Sequence, residues 1–117
     1  MNDVFVLSAV RSAIGTFNGT LSTLEPIELG TTVMKEALKR SSIDPELVLN
    51  TVVGNCIPTE SRSPYLARVV SINAGLPFSS SALTINRLCG SAMQAVVSVA
   101  QNIKLGDCSF GVGGGVE

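Results

Sequence analysis

The stretch Thr84-Ile85-Asn86-Arg87-Leu88-Cys89-Gly90-Ser91-Ala92-Met93-Gln94-Ala95-Val96 decides how this chain is read. An apolar strand pattern ends, a cysteine stands at the junction, and a long uncharged helix pattern begins. Across residues 69–103 the only charged side chain is Arg87, so both arms of the turn are expected to be buried. A strand that passes directly into a helix is the repeating unit of layered α/β proteins.

The same alternation extends in both directions. Toward the N-terminus, Val4-Phe5-Val6-Leu7 reads as a short strand, and the Asn18-Gly19 pair marks a loop. Pro26 sits where a first helical position tolerates proline. Leu29, Val33, Ala37 and Leu38 then recur at helical spacing, with Lys35, Glu36, Lys39 and Arg40 mostly off the stripe. Asp44-Pro45-Glu46 predicts a cap and one local turn. Residues 51–57 read as a strand, 58–64 as a polar loop, and 65–74 as a helix closing at Gly75. Residues 82–85 form the next expected strand and 90–104 the next helix. Gly106-Asp107 breaks that helix, and residues 108–113 give a last strand, leaving into a glycine-rich turn. The order is β-α-β-α-β-α-β, which predicts an α/β domain with a mostly parallel sheet.

Composition narrows the function classes. At 117 residues there is room for one domain with a modest core. A hydrophobic content of 45% with 15% charge suits a piece whose faces other parts of a larger protein cover. Net charge is −1 with a pI of about 5.3, and the basic residues are scattered, so neither nucleic acid nor an anionic membrane is an expected partner. Polar residues and proline interrupt every apolar run, which predicts no membrane span. No basic leader precedes the first strand pattern, and three cysteines in unrelated contexts argue against a disulfide framework; both place the chain in the cytoplasm. Without a histidine or a CxxC pair, a structural zinc site is not expected.

Cys89 is the residue that invites chemistry. A helix start offers free backbone N–H groups and a partial positive charge, which favour the thiolate, the reactive form of cysteine. Small Gly90 and Ser91 leave room for a substrate carbonyl to approach nearby amides. The competing reading is a packed thiol, since free cysteine is often buried. The chain holds no histidine to serve as a base, so a nucleophile here needs a base from elsewhere. Cys56 and Cys108 lie within strand patterns and read as packing thiols. The run Gly111-Val112-Gly113-Gly114-Gly115 lacks the Lys-Ser/Thr of a phosphate loop. Asp3, Asp44 and Asp107 have turn or cap explanations, and Arg11 and Arg68 are candidate buried ion-pair partners.

Asn86-Arg87-Leu88-Cys89-Gly90-Ser91-Ala92-Met93-Gln94-Ala95 resembles the active-site cysteine motif of the thiolases, the acetyl-CoA acyltransferases. The likeness extends to Val10-Arg11-Ser12-Ala13-Ile14-Gly15-Thr16-Phe17, to Gly54-Asn55-Cys56-Ile57-Pro58 with Tyr65-Leu66-Ala67-Arg68, and to Gly106-Asp107 with Gly114-Gly115-Val116-Glu117. Together these cover essentially the whole chain in the family's order. The loop Pro58-Thr59-Glu60-Ser61-Arg62 is most similar to that of the broad-specificity β-ketothiolases. Two positions depart from the pattern: Ala92 stands where many members have glycine, and Ser12-Ala13 where Thr-Pro is frequent.

The resemblance implies that residues 1–117 are an incomplete thiolase N-terminal domain, with the loop domain and the C-terminal half-domain absent. It implies Cys89 as the catalytic nucleophile. The activating histidine, a second cysteine acting as acid and base, and an asparagine-held water would come from the C-terminal half, so Cys56 and Cys108 do not fill those roles. The implied reaction is acyl transfer between acyl-CoA and acetyl-CoA through a Cys89 acyl-enzyme. It runs as a Claisen condensation or, in reverse, as thiolysis of a 3-oxoacyl-CoA. Substrates would be coenzyme A thioesters, with no tightly bound cofactor and no cofactor-binding residue in this stretch. The assembly would be a homotetramer or dimer, and the isolated chain would be inactive. Two rivals remain: a ketoacyl-synthase-type condensing enzyme, and a non-catalytic thiolase-like lipid-binding or scaffold protein.

Overall fold

The computed structural model describes residues 3–117. Helix α1 spans Pro26–Ser41, strand β1 Val48–Gly54, helix α2 Leu66–Asn73, strand β2 Ser81–Ile85, helix α3 Ser91–Leu105 and strand β3 Phe110–Gly115, with single 3-10 turns at Pro45–Leu47 and Ser63–Tyr65. The three strands form one parallel sheet in the order β2-β1-β3. Parallel strands need long crossovers, and α2 and α3 supply them.

The helix ends follow the local chemistry of the sequence. Pro26 occupies the first turn of α1, and the Glu28 carboxylate accepts from the Glu25 N–H at 3.0 Å. The Asp44 carboxylate accepts from the Glu46 N–H at 3.0 Å, as the cap reading requires. Gly106 closes α3 at φ 86°, a left-handed conformation that suits glycine. At the start of α2, the Ala67 N–H donates to Thr84 Oγ1 on β2 at 2.9 Å, tying helix to sheet.

β1 is central and is covered on both faces. Val48 and Val53 pack against α1 and α2 through Ile27, Met34, Leu38, Leu66, Ala67 and Val70. Val52 faces the other way, onto Ala95 and Val99 of α3. The buried stripe of α1 is thus Ile27, Met34 and Leu38, rotated from the expected Leu29-Val33-Ala37-Leu38 line so that only Leu38 is common to both. Among the described residues, no helix is long and apolar enough to cross a membrane.

β3 explains how closely α3 lies on the sheet. Its α3-facing positions are Gly111, Gly113 and Gly115, and a Cβ at them would come within 2.6 Å of Val99, 2.8 Å of Val96 and 2.7 Å of Ala92. On β1, a Cβ at Gly54 would stand 2.6 Å from the Ser91 Cβ. Both strands of the contact lack side chains at these points, so the helix backbone rests on the strand backbone. The expected last strand, 108–113, thus runs on through Gly115, where an exit into a glycine-rich turn is expected from the sequence.

Three other expectations are corrected. Residues 4–7 pair with no strand among the described residues. Phe5, Val6 and Leu7 are exposed, so this apolar run finds neither a ladder partner nor a core face here, and its neighbour Ser8 donates to the Ala37 carbonyl of α1 at 2.7 Å. The order is therefore α-β-α-β-α-β within the α/β class. Residues 69–103 are not uniformly buried: Leu83 on the edge strand β2, Leu88, Met93, Val96 and Val97 are exposed. α3 has a single stripe on the sheet, and its remaining apolar side chains point away from it. Among the described residues Arg68 makes no ion pair; its guanidinium donates to the Ser80 carbonyl at 2.7 Å and the Phe78 carbonyl at 3.1 Å, and exposed Arg11 donates to the Ser12 carbonyl.

Candidate active site

In an open parallel sheet, ligands bind beyond the carboxyl ends of the strands, where successive crossovers leave on opposite sides. That point here is the end of β1. α2 lies on one face and α3 on the other, and the strand ends Gly54, Ile85 and Gly115 stand in register. A cleft of about 400 Å³ opens there, lined by Gly54, Cys56, Ile57, Leu88, Cys89, Ser91, Ala92 and 115–117.

Cys89 stands exposed at the cleft. It precedes the N-cap Gly90, so α3 starts at Ser91, one residue later than expected. Hydrogen bonds from its own side chains help to hold the turn that carries it. Asn86 Oδ1 accepts from the Leu88 N–H at 2.9 Å, closing a short loop around Arg87. Leu88 lies at φ 48°, a left-handed conformation that costs a residue with a side chain and persists only where the surroundings impose it. Ser91 Oγ donates to the Leu88 carbonyl at 2.6 Å and accepts from the Arg87 N–H at 2.8 Å. The Gly90 N–H donates to the Arg87 carbonyl at 3.1 Å, and the Arg87 guanidinium reaches Gln94 on the next turn of α3 at 3.1 Å.

The opposite wall is built from the exits of β1 and β3. β1 ends at Gly54, so Cys56 lies outside the strand, half-buried on the cleft, and is no packing thiol within a sheet. The Cys56 and Ile57 N–H groups donate to the Glu117 carboxylate at 2.9 and 2.6 Å, and the Cys56 carbonyl accepts from Asn86 Nδ2 at 2.9 Å. Asn55 Nδ2 donates to the Val116 carbonyl at 2.9 Å and joins the two exits. The sequence gives no individual role to Glu117 or Asn86, whose partner Cys56 is distant in the chain, and it reads Ser91 for its small size and not for the hydroxyl that works on the Arg87 and Leu88 backbone. Ala92 fits because its methyl faces Gly115, which has none.

Cys108 is elsewhere, beyond the other end of α3 and two residues before β3. Burial pushes its thiol above the ordinary range, and the neighbouring Asp107 charge adds to the shift. A second hollow of about 420 Å³ lies between the 12–22 loop, Leu29 and 115–117. The carboxylate in its lining, Glu117, already accepts from two amides.

What this arrangement offers is an exposed thiol on a fixed turn at a helix N-terminus, above a small-residue floor. Comparison with known proteins gives it a family context. Residues 4–117 match the thiolase N-terminal domain. The chain is 50% identical over 115 residues to the beta-ketothiolase BktB of Cupriavidus necator, covering 98% of this chain and 29% of that protein. It is 42% identical to the cytosolic acetyl-CoA acetyltransferase of Mus musculus, over 97% of this chain and 28% of that one. The crystal structure of the Acat5 thiolase from Ascaris suum in complex with coenzyme A superposes with a TM-score of 0.87 at 40% identity, over 92% of this chain and 28% of that one. The chain thus spans under a third of the length of the relatives it matches.

Proposed function

Because the chain belongs to the thiolase family, we propose that the complete protein is an acyl-CoA:acetyl-CoA C-acyltransferase in which Cys89 is the nucleophile. The observation that carries this reading is the presentation of Cys89, exposed on its braced turn at the cleft beyond the strand ends. The relatives' names supply the chemistry: one is a beta-ketothiolase, another an acetyl-CoA acetyltransferase, and a third protein is a thiolase crystallised with coenzyme A.

The Cys89 thiolate attacks the thioester carbon of an acyl-CoA. The carbonyl π electrons move to oxygen, and their return expels the coenzyme A thiolate, leaving an acyl-cysteine. In synthesis, a second acetyl-CoA loses an α-proton to a base and its carbanion attacks the acyl carbon, forming a C–C bond and releasing Cys89. In thiolysis the steps run backward, and coenzyme A takes the acyl group. One thioester is exchanged for another, so the first step is nearly balanced in both directions.

The proton-moving groups are assigned to the remainder of the protein, since this chain contains no histidine. Residues 1–117 are accordingly proposed as an incomplete thiolase N-terminal domain, inactive when isolated. The exposed apolar side chains of β2 and α3 support burial in a homo-oligomer, a tetramer or dimer. Three free cysteines support residence in the reducing cytoplasm.

Iodoacetamide labelling of the complete protein with peptide mapping tests the nucleophile. Cys89 is expected to react first, and acetyl-CoA to protect it. Equal rates at Cys89, Cys56 and Cys108 without protection would remove the assignment and favour a non-catalytic lipid-binding or scaffold role.

A further inference from the structure

Resting on Cys89 as the nucleophile, we infer that Glu117 and Asn86 are positioning residues that hold its turn through one hydrogen-bonded chain. Leu88 is the strained link. It occupies a left-handed conformation immediately before the nucleophile, and its amide is fixed there by Asn86 Oδ1 at 2.9 Å. The other end of the Asn86 carboxamide is anchored as well. The anchor is the Cys56 carbonyl, which accepts from Asn86 Nδ2 at 2.9 Å.

Cys56 in turn lies beyond the strand ladder, because β1 ends at Gly54. Its position is set from the far side by Glu117, whose two carboxylate oxygens take the Cys56 and Ile57 N–H groups at 2.9 and 2.6 Å. Hydrogen bonds to an ionised acceptor are roughly twice as strong as neutral ones. Glu117 is held by the chain that precedes it: the Val116 N–H donates to the Gly54 carbonyl at 3.0 Å, and the Val116 carbonyl accepts from Asn55. The direction of Cys89 is thereby referred back, through two side chains, to the paired ends of β1 and β3. A loop residue needs such a reference because a displacement of about 1 Å at a nucleophile can cost on the order of a hundredfold in rate.

The experiment uses the complete protein carrying Glu117→Gln, Asn86→Ala, both together, or Asn86→Asp. The Glu117→Gln change turns an N–H toward one of the two amides that the carboxylate now accepts from. The Asn86→Asp change keeps an acceptor for the Leu88 amide but loses the donor to Cys56. Thiolysis kcat and KM are measured beside the iodoacetamide rates of Cys89 and Cys108 in one sample. Each single variant is expected to lower kcat and the Cys89 rate by about 10- to 100-fold. KM and the Cys108 rate should stay near wild type. The double variant should be no slower than its slower parent, because both changes cut the same chain.

Wild-type rates in Glu117→Gln, strictly multiplicative losses in the double variant, or Cys89 and Cys108 rates that move together would each overturn the inference. Cys89→Ala run in parallel separates the two readings. Activity retained there sinks the nucleophile and the chain with it. Activity lost there, with Glu117→Gln unaffected, sinks the positioning chain alone.

Discussion

Cys89 stands two residues before helix α3 and Cys108 three residues after it. The first meets the helix end where unpaired N–H groups concentrate positive potential; the second meets the end where carbonyls concentrate negative potential. Cys89 is exposed at a cleft, on a turn braced by Asn86 and Ser91. Cys108 is half-buried beside a carboxylate, and burial first, then the Asp107 charge, hold its proton on. Two cysteines flanking one helix thus have opposite surroundings. What distinguishes them is which helix end they sit near and what faces them, and neither follows from residue type.

The sharpest way to break the comparison is to remove each thiol from the complete protein. Cys89→Ala is expected to lower acyl transfer by more than about a thousandfold, the scale seen when a covalent nucleophile is deleted. Cys108→Ala should leave kcat/KM near the wild-type value, because Cys108 lies beyond the end of α3 opposite the cleft. Comparable losses in the two variants, measured as kcat/KM, would erase the distinction.

A second test acts on the floor that presents one of the two ends. Gly54→Ala would place a Cβ 2.6 Å from the Ser91 Cβ and 2.7 Å from the Ser91 carbonyl carbon. Backbone cannot rotate out of the way as a side-chain tip can, so α3 must lift at its first turn. Overpacking of this kind costs about 1–3 kcal/mol. Gly113→Ala meets the Val96 backbone at 2.8 Å, mid-helix, and should destabilise similarly while disturbing the Cys89 turn less. Denaturant midpoints compared with Cys89 labelling rates check this. Equal stability loss with unequal labelling loss is expected; unchanged stability in both would mean that the contact is not close-packed.

How much of this could be read from the chain itself follows from the range of the interactions. Helix α3, its Gly106 stop and the Asp44 cap were legible because the signals are local: an uncharged run, a glycine at the end, a side chain two residues from the amide it takes. The turn at Cys89 was legible as a place, through Asn86, Cys89 and Ser91 in one motif. Its bracing was not, since Asn86 reaches back to Cys56 and Cys56 leans on Glu117, some 30 and 61 positions away. Gly114 and Gly115, the last residues of β3, read as a turn for a related reason. Glycine signals a turn in one dimension, and only the helix lying across Gly111, Gly113 and Gly115 shows that close approach is the need. The 4–7 strand reading rested on apolar character, which a strand must combine with a partner to form a ladder.

The smallest expected effect lies at the far end of α3. A thiol whose proton is held more tightly than usual has less thiolate at any given pH, so Cys108 alkylation should rise with pH later than that of an ordinary thiol. Asp107→Asn removes the lesser of the two causes. The Cys108 profile should therefore move toward lower pH without reaching the position of a solvated thiol, because burial, the larger cause, is untouched. The linkage sign follows: a folded-state pKa raised above the unfolded one contributes stability that is full below the unfolded value and is lost as pH rises through the folded one. Asp107→Asn should slightly flatten that alkaline loss. Peptide-mapped alkylation across the alkaline range measures the shift directly. A Cys108 profile unmoved by Asp107→Asn would assign the whole effect to burial, and one moved fully to that of a free thiol would assign it to the charge.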